Sequence, residues 1–413
     1  MSNKPHAADV RTQFFRAIEA EAGTRAALPT LLSCSLLILI LGALLCFTPA
    51  RTYSREEKRT LAKAPVLSLT SLAGGAWMAG IADFCADQFP MRPHFVAAKA
   101  ATEIALGKQE NNGILKGKDG YLIPRDEYRE EQVLSMTKNM DAVSRFSAAL
   151  AEREIPFTVA IVPRSIDVNS EKLPARYDTS IAQAAWERIT QAALQKNLPL
   201  LDLSAALTDA ADTAQVWFKT DHHWTVRGAY TAYVALGEAL GYTPYPWQAF
   251  DEQVVYEDFK GTSYTAFGGF GAVGERLPLA RFAGDEDYLT EILVSGEVVR
   301  ALSGFYDWDA LGSGDEYRLF LGGTNTCIRV TRQNREDAPC LVLIKDSFSQ
   351  SIAPFLARHF DLLLLDPRTY DIRLDGAMID RMEQAGADHV LLLYGIDTLY
   401  ESPSLAGLTY GLS

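Results

Sequence analysis

The chain predicts an α/β protein: a parallel sheet flanked by helices, with a β-rich insertion and one N-terminal transmembrane helix. Three observations lead there. From about Met136 onward, short apolar runs alternate with amphipathic stretches, the pattern of βαβ units. Between about 250 and 335 that alternation gives way to a Gly- and Tyr-rich region of short segments. From Leu28 to Phe47 no residue carries a charge.

The last of these, LPTLLSCSLLILILGALLCF, comes first in the chain. At 1.5 Å per residue, about 20 apolar residues cross the hydrocarbon core as a helix. A removed signal peptide has a shorter apolar run and a small-residue cleavage site, and CFTPARTYS is a poor one. A buried core helix would show a polar second face, and none is visible. The expectation is therefore an uncleaved anchor with a short polar tail, residues 1–27, on the cytoplasmic side. Basic residues flank both ends, Arg16 and Arg25 before, Arg51 and Arg55 after, so the positive-inside rule does not orient the span.

Residues 51–130 read as a connecting region that contains the turn-rich ADQFPMRPHF and NNGILKGKDGYLI, whose KDG predicts a hairpin turn. The catalytic-size domain then runs over 131–413. Within it the strands are PFTVAIVP (156–163), LPLLDL (198–203), CLVLIKD (340–346), DLLLLD (361–366) and HVLLLYG (389–395). The helices are placed at about 142–153, 180–196, 226–240, 349–360 and 375–386. Near-continuous apolar strands of this kind are buried on both faces.

The length of 413 residues allows about two to three domains. With 48% hydrophobic and 10% aromatic residues the chain can bury a sizeable core. Lys and Arg number 39 against 52 Asp and Glu, a net charge of −13. That balance excludes nucleic acid as a partner, since a phosphate backbone demands clustered cations. It also excludes anionic lipid as a partner of the folded domain.

In open α/β sheets, ligands bind beyond the carboxyl ends of the strands, and two segments there carry chemistry. In the first, Lys345-Asp346-Ser347-Phe348-Ser349, a strand ends and a helix begins. A Ser at such a turn exposes its hydroxyl beside free N–H groups and a positive dipole end, which suits acyl transfer. An ordinary N-cap uses the same residue types. In the second, Thr220-Asp221-His222-His223-Trp224-Thr225, two of the six histidines of the chain stand together after an Asp. A general base needs an imidazole and a carboxylate to orient it. At i and i+2 of an extended segment, Asp221 and His223 share a side while His222 points away. His223 is then the base, and His222 packs or hydrogen-bonds nearby. Solvated loop histidines, or a metal site, are the rival readings. The metal reading lacks further ligands, as the other histidines are isolated and no Cys-x-x-Cys occurs.

The run TDHHWTVRGAY (220–230) resembles the signature of the DHHW protein family, similar to the alginate O-acetyltransferase (AlgJ/AlgX-like) group of SGNH-hydrolase-like proteins. DFCADQFPMR (83–92), NGILKGKDGYL (112–122), VPRSIDVNSEKLP (162–174), FKGTSYTAFG (259–268) and IKDSFSQS (344–351) resemble further segments of that family in the same order. Arg164 stands where Lys is commoner. The resemblance implies an SGNH-hydrolase-like fold and a Ser-His-Asp triad of Ser347, His223 and Asp221, without cofactor or metal. It implies a ping-pong transfer of an acetyl group through Ser347 onto an extracellular or cell-envelope polysaccharide. The donor side is implied to be a polytopic membrane-bound O-acyltransferase. By the same resemblance the catalytic domain faces outward from the cytoplasmic membrane. Two rivals remain open from the residues: a carbohydrate esterase with the same triad, and a non-catalytic envelope protein that binds glycan or scaffolds an export complex.

Three other residues near strand ends are substrate-binding candidates. Arg164 is suited to an anionic sugar or carboxylate, or is a solvated charge. Tyr394 can hydrogen-bond substrate or pack. His222 lies beside the base. Ser263, in GTSYTAFGGFG, is a rival nucleophile without the strand-to-helix context. Cys327 and Cys340 flank RVTRQNREDAP, which suits either a disulfide in an oxidising compartment or two buried thiols.

Overall fold

A computed structural model describes residues 28–54, 59–125, 128–335, 337–371 and 375–412. The tail expected over 1–27 lies outside them. The chain divides into two compact units. The N-terminal unit, which ends at Phe95, holds the helix Leu28–Phe47, 20 residues long and apolar enough to cross a membrane. Its side chains are almost all exposed. In the same unit Arg59 pairs with Asp87 at 2.5 Å. That bond outweighs burial and holds the Asp87 carboxyl down at about 2.

The second unit, which begins at Val96, is built on an eight-stranded sheet. Its strands are β1 (Phe157–Val162), β2 (Leu200–Asp202), β3 (Tyr288–Val294), β4 (Glu297–Ser303), β5 (Cys327–Arg332), β6 (Cys340–Lys345), β7 (Asp361–Leu365) and β8 (Ala387–Gly395). Their order is β4-β3-β5-β7-β6-β8-β1-β2. The run β7-β6-β8-β1-β2 is parallel throughout. This is the doubly covered sheet that the apolar runs predict, with the strand ends shifted by a residue or two.

Alternation within these strands splits the core in two. Leu341, Leu343, Leu391, Leu393, Ala160 and Val162 point to one face, packed with Trp217, Trp224 and the helix Val226–Leu236. Val342, Ile344, Val390, Leu392, Val159 and Ile161 point to the other, under the helices Glu130–Ala151 and Ser180–Gln195. Both sets are fully buried, so β6 can only end where a loop emerges at the sheet's edge. Ser347 is in that loop.

The β-rich insertion is part of the main sheet. Its strands β3, β4 and β5 continue the same sheet antiparallel beyond β7, with Cys327 opposite Leu365 and Val330 opposite Leu362. Only Asp251–Phe259 and Glu275–Arg281 form a hairpin of their own. The KDG segment is a single 3-10 turn, Lys118–Gly120, with Asp119 at φ 55°, between Ile114–Lys116 and Leu122–Pro124.

The disulfide alternative for Cys327 and Cys340 is overturned by register. Cys327 lies opposite Leu365 and Cys340 opposite Asp361, at the two ends of the intervening strand β7. Disulfide geometry needs Cα atoms within about 7 Å. Both are free thiols, and burial pushes each up to about 11, which suppresses their reactivity.

Candidate active site

Residues 216–225 form a tight hairpin. Trp217 bridges Trp224, Phe218 N–H donates to the His223 carbonyl (3.1 Å) and Thr225 N–H to that of Val216 (2.9 Å). Thr225 then caps the helix Val226–Leu236 by accepting from the amides of Arg227 and Gly228. Gly228 is required for packing here, because a Cβ would stand 2.3 Å from the Val216 carbonyl oxygen. Glu275, from the neighbouring hairpin, accepts from Lys219 N–H (3.0 Å), Thr220 N–H (2.7 Å), Thr220 Oγ1 (2.7 Å) and Gln215 Nε2 (2.7 Å). The loop that carries Asp221 and His223 is thus tied down from both sides.

Asp221 is almost fully buried. Its Oδ1 accepts from the His223 backbone N–H at 3.0 Å and from His223 Nδ1 at 2.5 Å. Its Oδ2 accepts from Thr262 N–H (2.7 Å) and Thr262 Oγ1 (3.2 Å). Burial alone would raise this carboxyl. The two facing imidazoles and the hydrogen bonds from His223 and Thr262 outweigh it and hold Asp221 well below the usual carboxylate range. The i, i+2 contact therefore forms as the spacing suggests, but through a turn closed by the Asp side chain on the His223 amide, not through an extended strand.

Ionised Asp221 accepts from Nδ1, so the proton of a neutral His223 ring sits there and Nε2 is left as an acceptor. Nε2 lies 2.7 Å from Ser347 Oγ. The imidazole is clamped on both flanks. Tyr317 stacks on it with ring centroids 3.9 Å apart at 5°, and Phe348 meets it edge-on at 5.1 Å. The Tyr317 hydroxyl is anchored at 3.2 Å to Ser351 Oγ, which also accepts from Trp224 Nε1 (2.8 Å).

Ser347 stands in the turn between β6 and the helix Ser349–Leu356 and is half-buried among fully buried neighbours. Asp346 shapes that turn. Its carboxylate accepts from the amides of Phe348 (3.0 Å) and Gly395 (2.6 Å) and from Thr398 Oγ1 (2.9 Å). Below it, fully buried Lys345 reaches Asp366 at 3.2 Å, and Arg368 completes the network at 2.7 Å.

The other expected residues fare differently. His222 Nδ1 meets Thr262 Oγ1 at 2.6 Å, and its ring lies 3.8 Å from that of His223, so it stays beside the site. Arg164 is neither an open anion site nor a solvated charge. It is 7% exposed, its Nε and Nη2 donate to Asp167 at 2.9 and 2.8 Å, and it contacts the Tyr128 hydroxyl. Tyr394 is also withdrawn from the site. It is fully buried, with its hydroxyl 2.7 Å from Ser404 Oγ, because its position on β8 points it into the core under the helices. Tyr394→Phe is accordingly expected to change turnover by less than about twofold and to lower stability by about 1 kcal/mol, read by steady-state kinetics and denaturant unfolding. Ser263 is buried and its hydroxyl has no hydrogen-bond partner among the described residues. The imidazole faces Ser347 instead.

Asp221, His222 and His223 also offer ligand atoms within 4.8 Å of one another. Both Nδ1 atoms and both Asp221 oxygens are already engaged by protein partners, so a cation there would have to displace those bonds.

Tyr317, Glu275 and Thr262 were not anticipated. Only Thr262 lay in a motif worth following, beside Gly261. That glycine has φ −83° and ψ −167°, which any residue adopts. Its role is space: a Cβ would fall 2.2 Å from both Asp221 Cβ and Oδ2. Gly261→Ala is expected to push Asp221 off His223 and cost about 10- to 100-fold in turnover with the fold retained, measured by kinetics beside circular dichroism.

Residues 114–275 match the family model described as SGNH hydrolase-like domain, acetyltransferase AlgX. The match takes in Asp221 and His223 and stops before Ser347. The probable alginate O-acetylase AlgJ of Pseudomonas putida is 28% identical over 157 residues, 37% of this chain and 40% of that protein. That of Pseudomonas syringae pv. tomato is 25% identical over 199 residues, 47% of this chain and 50% of that protein. The chain thus spans half or less of the length of these curated relatives. Among solved structures, a DHHW family protein from Eubacterium siraeum superposes with a TM-score of 0.60 at 19% identity, covering 74% of this chain and 97% of that one. Bacillus cereus PatB1 follows at 0.54 and 20%, covering 70% and 98%. The motif resemblance and the SGNH-like α/β fold are thereby borne out.

Proposed function

We propose that this SGNH hydrolase-like chain, similar to AlgJ and AlgX, is a membrane-anchored O-acetyltransferase that acts on an exported polysaccharide. The observation that carries the reading is the unbroken hydrogen-bond line from Asp221 through His223 to Ser347, at 2.5 and 2.7 Å.

Ser347 Oγ attacks the acetyl carbonyl of the donor and gives its proton to His223 Nε2. The carbonyl–donor bond then breaks, and the leaving group takes the proton from the imidazolium. A glycan hydroxyl next loses its proton to His223 and attacks the acetyl-serine, and Ser347 recovers a proton as it leaves. Asp221 holds the ring in the Nδ1–H tautomer and stabilises the imidazolium. The helix Ser349–Leu356 starts two residues after Ser347, and its first amides and dipole suit the transient oxyanion. The helix Leu28–Phe47 serves as a single-pass anchor in the cytoplasmic membrane, which keeps the outward-facing domain beside a membrane-bound O-acyltransferase that supplies acetyl groups.

The test is to give the full chain an acetyl-ester donor and a glycan acceptor and to measure where the acetyl group goes. Acetylated glycan is the expected product. Free acetate alone, formed at the same rate with or without glycan, would mean a hydrolase.

A further inference from the structure

Two open depressions adjoin on the insertion side of the second unit, with volumes of about 600 and 560 Å³. Arg281, Asp285 and Glu286 border both, so together they make one elongated groove. None of Ser347, His223 and Asp221 lines it.

The larger depression carries one exposed indole beside the buried ring of Tyr306. Trp308 is 47% exposed and lies 5.9 Å from the Tyr306 ring. The Arg281 guanidinium sits 5.6 Å from the Tyr306 centroid and 5.9 Å from that of Trp308, and Asp285 holds it at 2.8 Å. On the far side buried Asp307 grips Arg300 through two bonds of 2.7 and 2.6 Å. These ion pairs fix the polar groups in place, and each carboxylate and guanidinium retains further capacity for hydrogen bonds. A half-exposed indole beside pre-set planar polar groups matches a sugar ring, which offers an apolar C–H face and an equatorial rim of hydroxyls.

The charge selects among sugars. Five carboxylates, those of Asp251, Asp285, Glu286, Asp307 and Asp309, line the groove against the two guanidinium groups of Arg281 and Arg300. An acidic glycan would be repelled, while a neutral or amino-bearing one would not. A relay of buried rings links the groove to the catalytic centre. Tyr306 contacts Phe320 at 6.2 Å, Phe320 contacts Tyr317 at 5.2 Å, and Tyr317 stacks on His223 at 3.9 Å.

We propose that this groove is an accessory site that holds a glycan chain free of acidic sugars. The proposal rests on the reading that the acceptor is a polysaccharide. Its gain is effective concentration, since a glycan held there stays tethered to the chain that carries Ser347.

The test uses the full chain in detergent with Ser347→Ala to stop turnover. It is titrated by calorimetry with hexasaccharides: neutral gluco- and manno-oligomers, a chitosan oligomer and an oligouronate. At least one neutral or amino-bearing hexamer is expected to bind, about tenfold or more tighter than the uronate, and to lose about tenfold on adding Trp308→Ala. Equal or tighter binding of the uronate, no binding by any hexamer, or binding indifferent to Trp308→Ala would each overturn the proposal. Failure of the catalytic reading shows separately. With Ser347 intact, Trp308→Ala should leave hydrolysis of a small acetyl ester unchanged and raise KM for polymer alone. A chain that binds glycan through Trp308 but never turns over an acetyl ester would sink the transferase reading and leave the groove standing.

Discussion

Ser347→Ala is expected to lower acetyl transfer by about 10⁴- to 10⁶-fold, as removal of the nucleophile does in other Ser-His-Asp enzymes. The loss should lie in turnover, with acceptor binding preserved. Ser347 is half-buried and its recorded side-chain bond is to His223 Nε2, so the alanine variant leaves one ring nitrogen facing a partly open edge and removes little packing. The fold around it is held independently: Asp346 by Phe348, Gly395 and Thr398, and the imidazole by Asp221, Tyr317 and Phe348. An unchanged melting temperature beside a lost rate, measured on the same preparation, is the combination to look for.

Asp221→Asn should cost nearly as much, about 10⁴-fold. The amide can still accept from Thr262, but it offers Nδ1 a donor as readily as an acceptor. The ring then loses its tautomer preference and the imidazolium its counter-charge. A second readout separates this from structural damage. The Asp221 carboxyl is held below its unfolded value, so the ionised group stabilises the fold fully above the ordinary carboxylate range, about 3.9. That contribution disappears as pH falls through the depressed folded value. Removal of the carboxylate removes one such loss. The stability of Asp221→Asn should therefore fall less steeply than that of the native chain when denaturation is followed from pH 7 towards pH 3. A variant with native turnover, or with a steeper acid loss, would contradict the role given to Asp221.

How far the sequence foretold this arrangement depends on the range of the contacts. CLVLIKD, DLLLLD and HVLLLYG were legible as parallel strands because burial on both faces demands an unbroken apolar run. Ser347 was legible because such a strand must end in a loop at the sheet's edge, and Asp221 with His223 because few sequences place an Asp and two His together before a helix. The approach of the two segments, 124 positions apart in the chain, followed only from both being at strand ends. The stack of Tyr317 on His223, the four bonds that Glu275 accepts and the docking of β3, β4 and β5 onto β7 left no such trace. They come from an insertion whose strands are half-exposed, and a half-exposed alternating strand does not name its partner. Arg164 and Tyr394 show the converse error. Position at a strand end suggested chemistry for both, and in both cases the side chain turns inward to a partner on its own side of the sheet, Asp167 and Ser404.

The most direct measurement is peptide mapping by mass spectrometry after brief exposure of the full chain to an activated acetyl ester. One acetyl group on Ser347, absent from Ser347→Ala and discharged on addition of a glycan acceptor with formation of acetylated glycan, is the result expected of a serine acyl-enzyme. Acetylated glycan formed at the native rate by Ser347→Ala, or an acetyl group that turns over on any other residue, would contradict it.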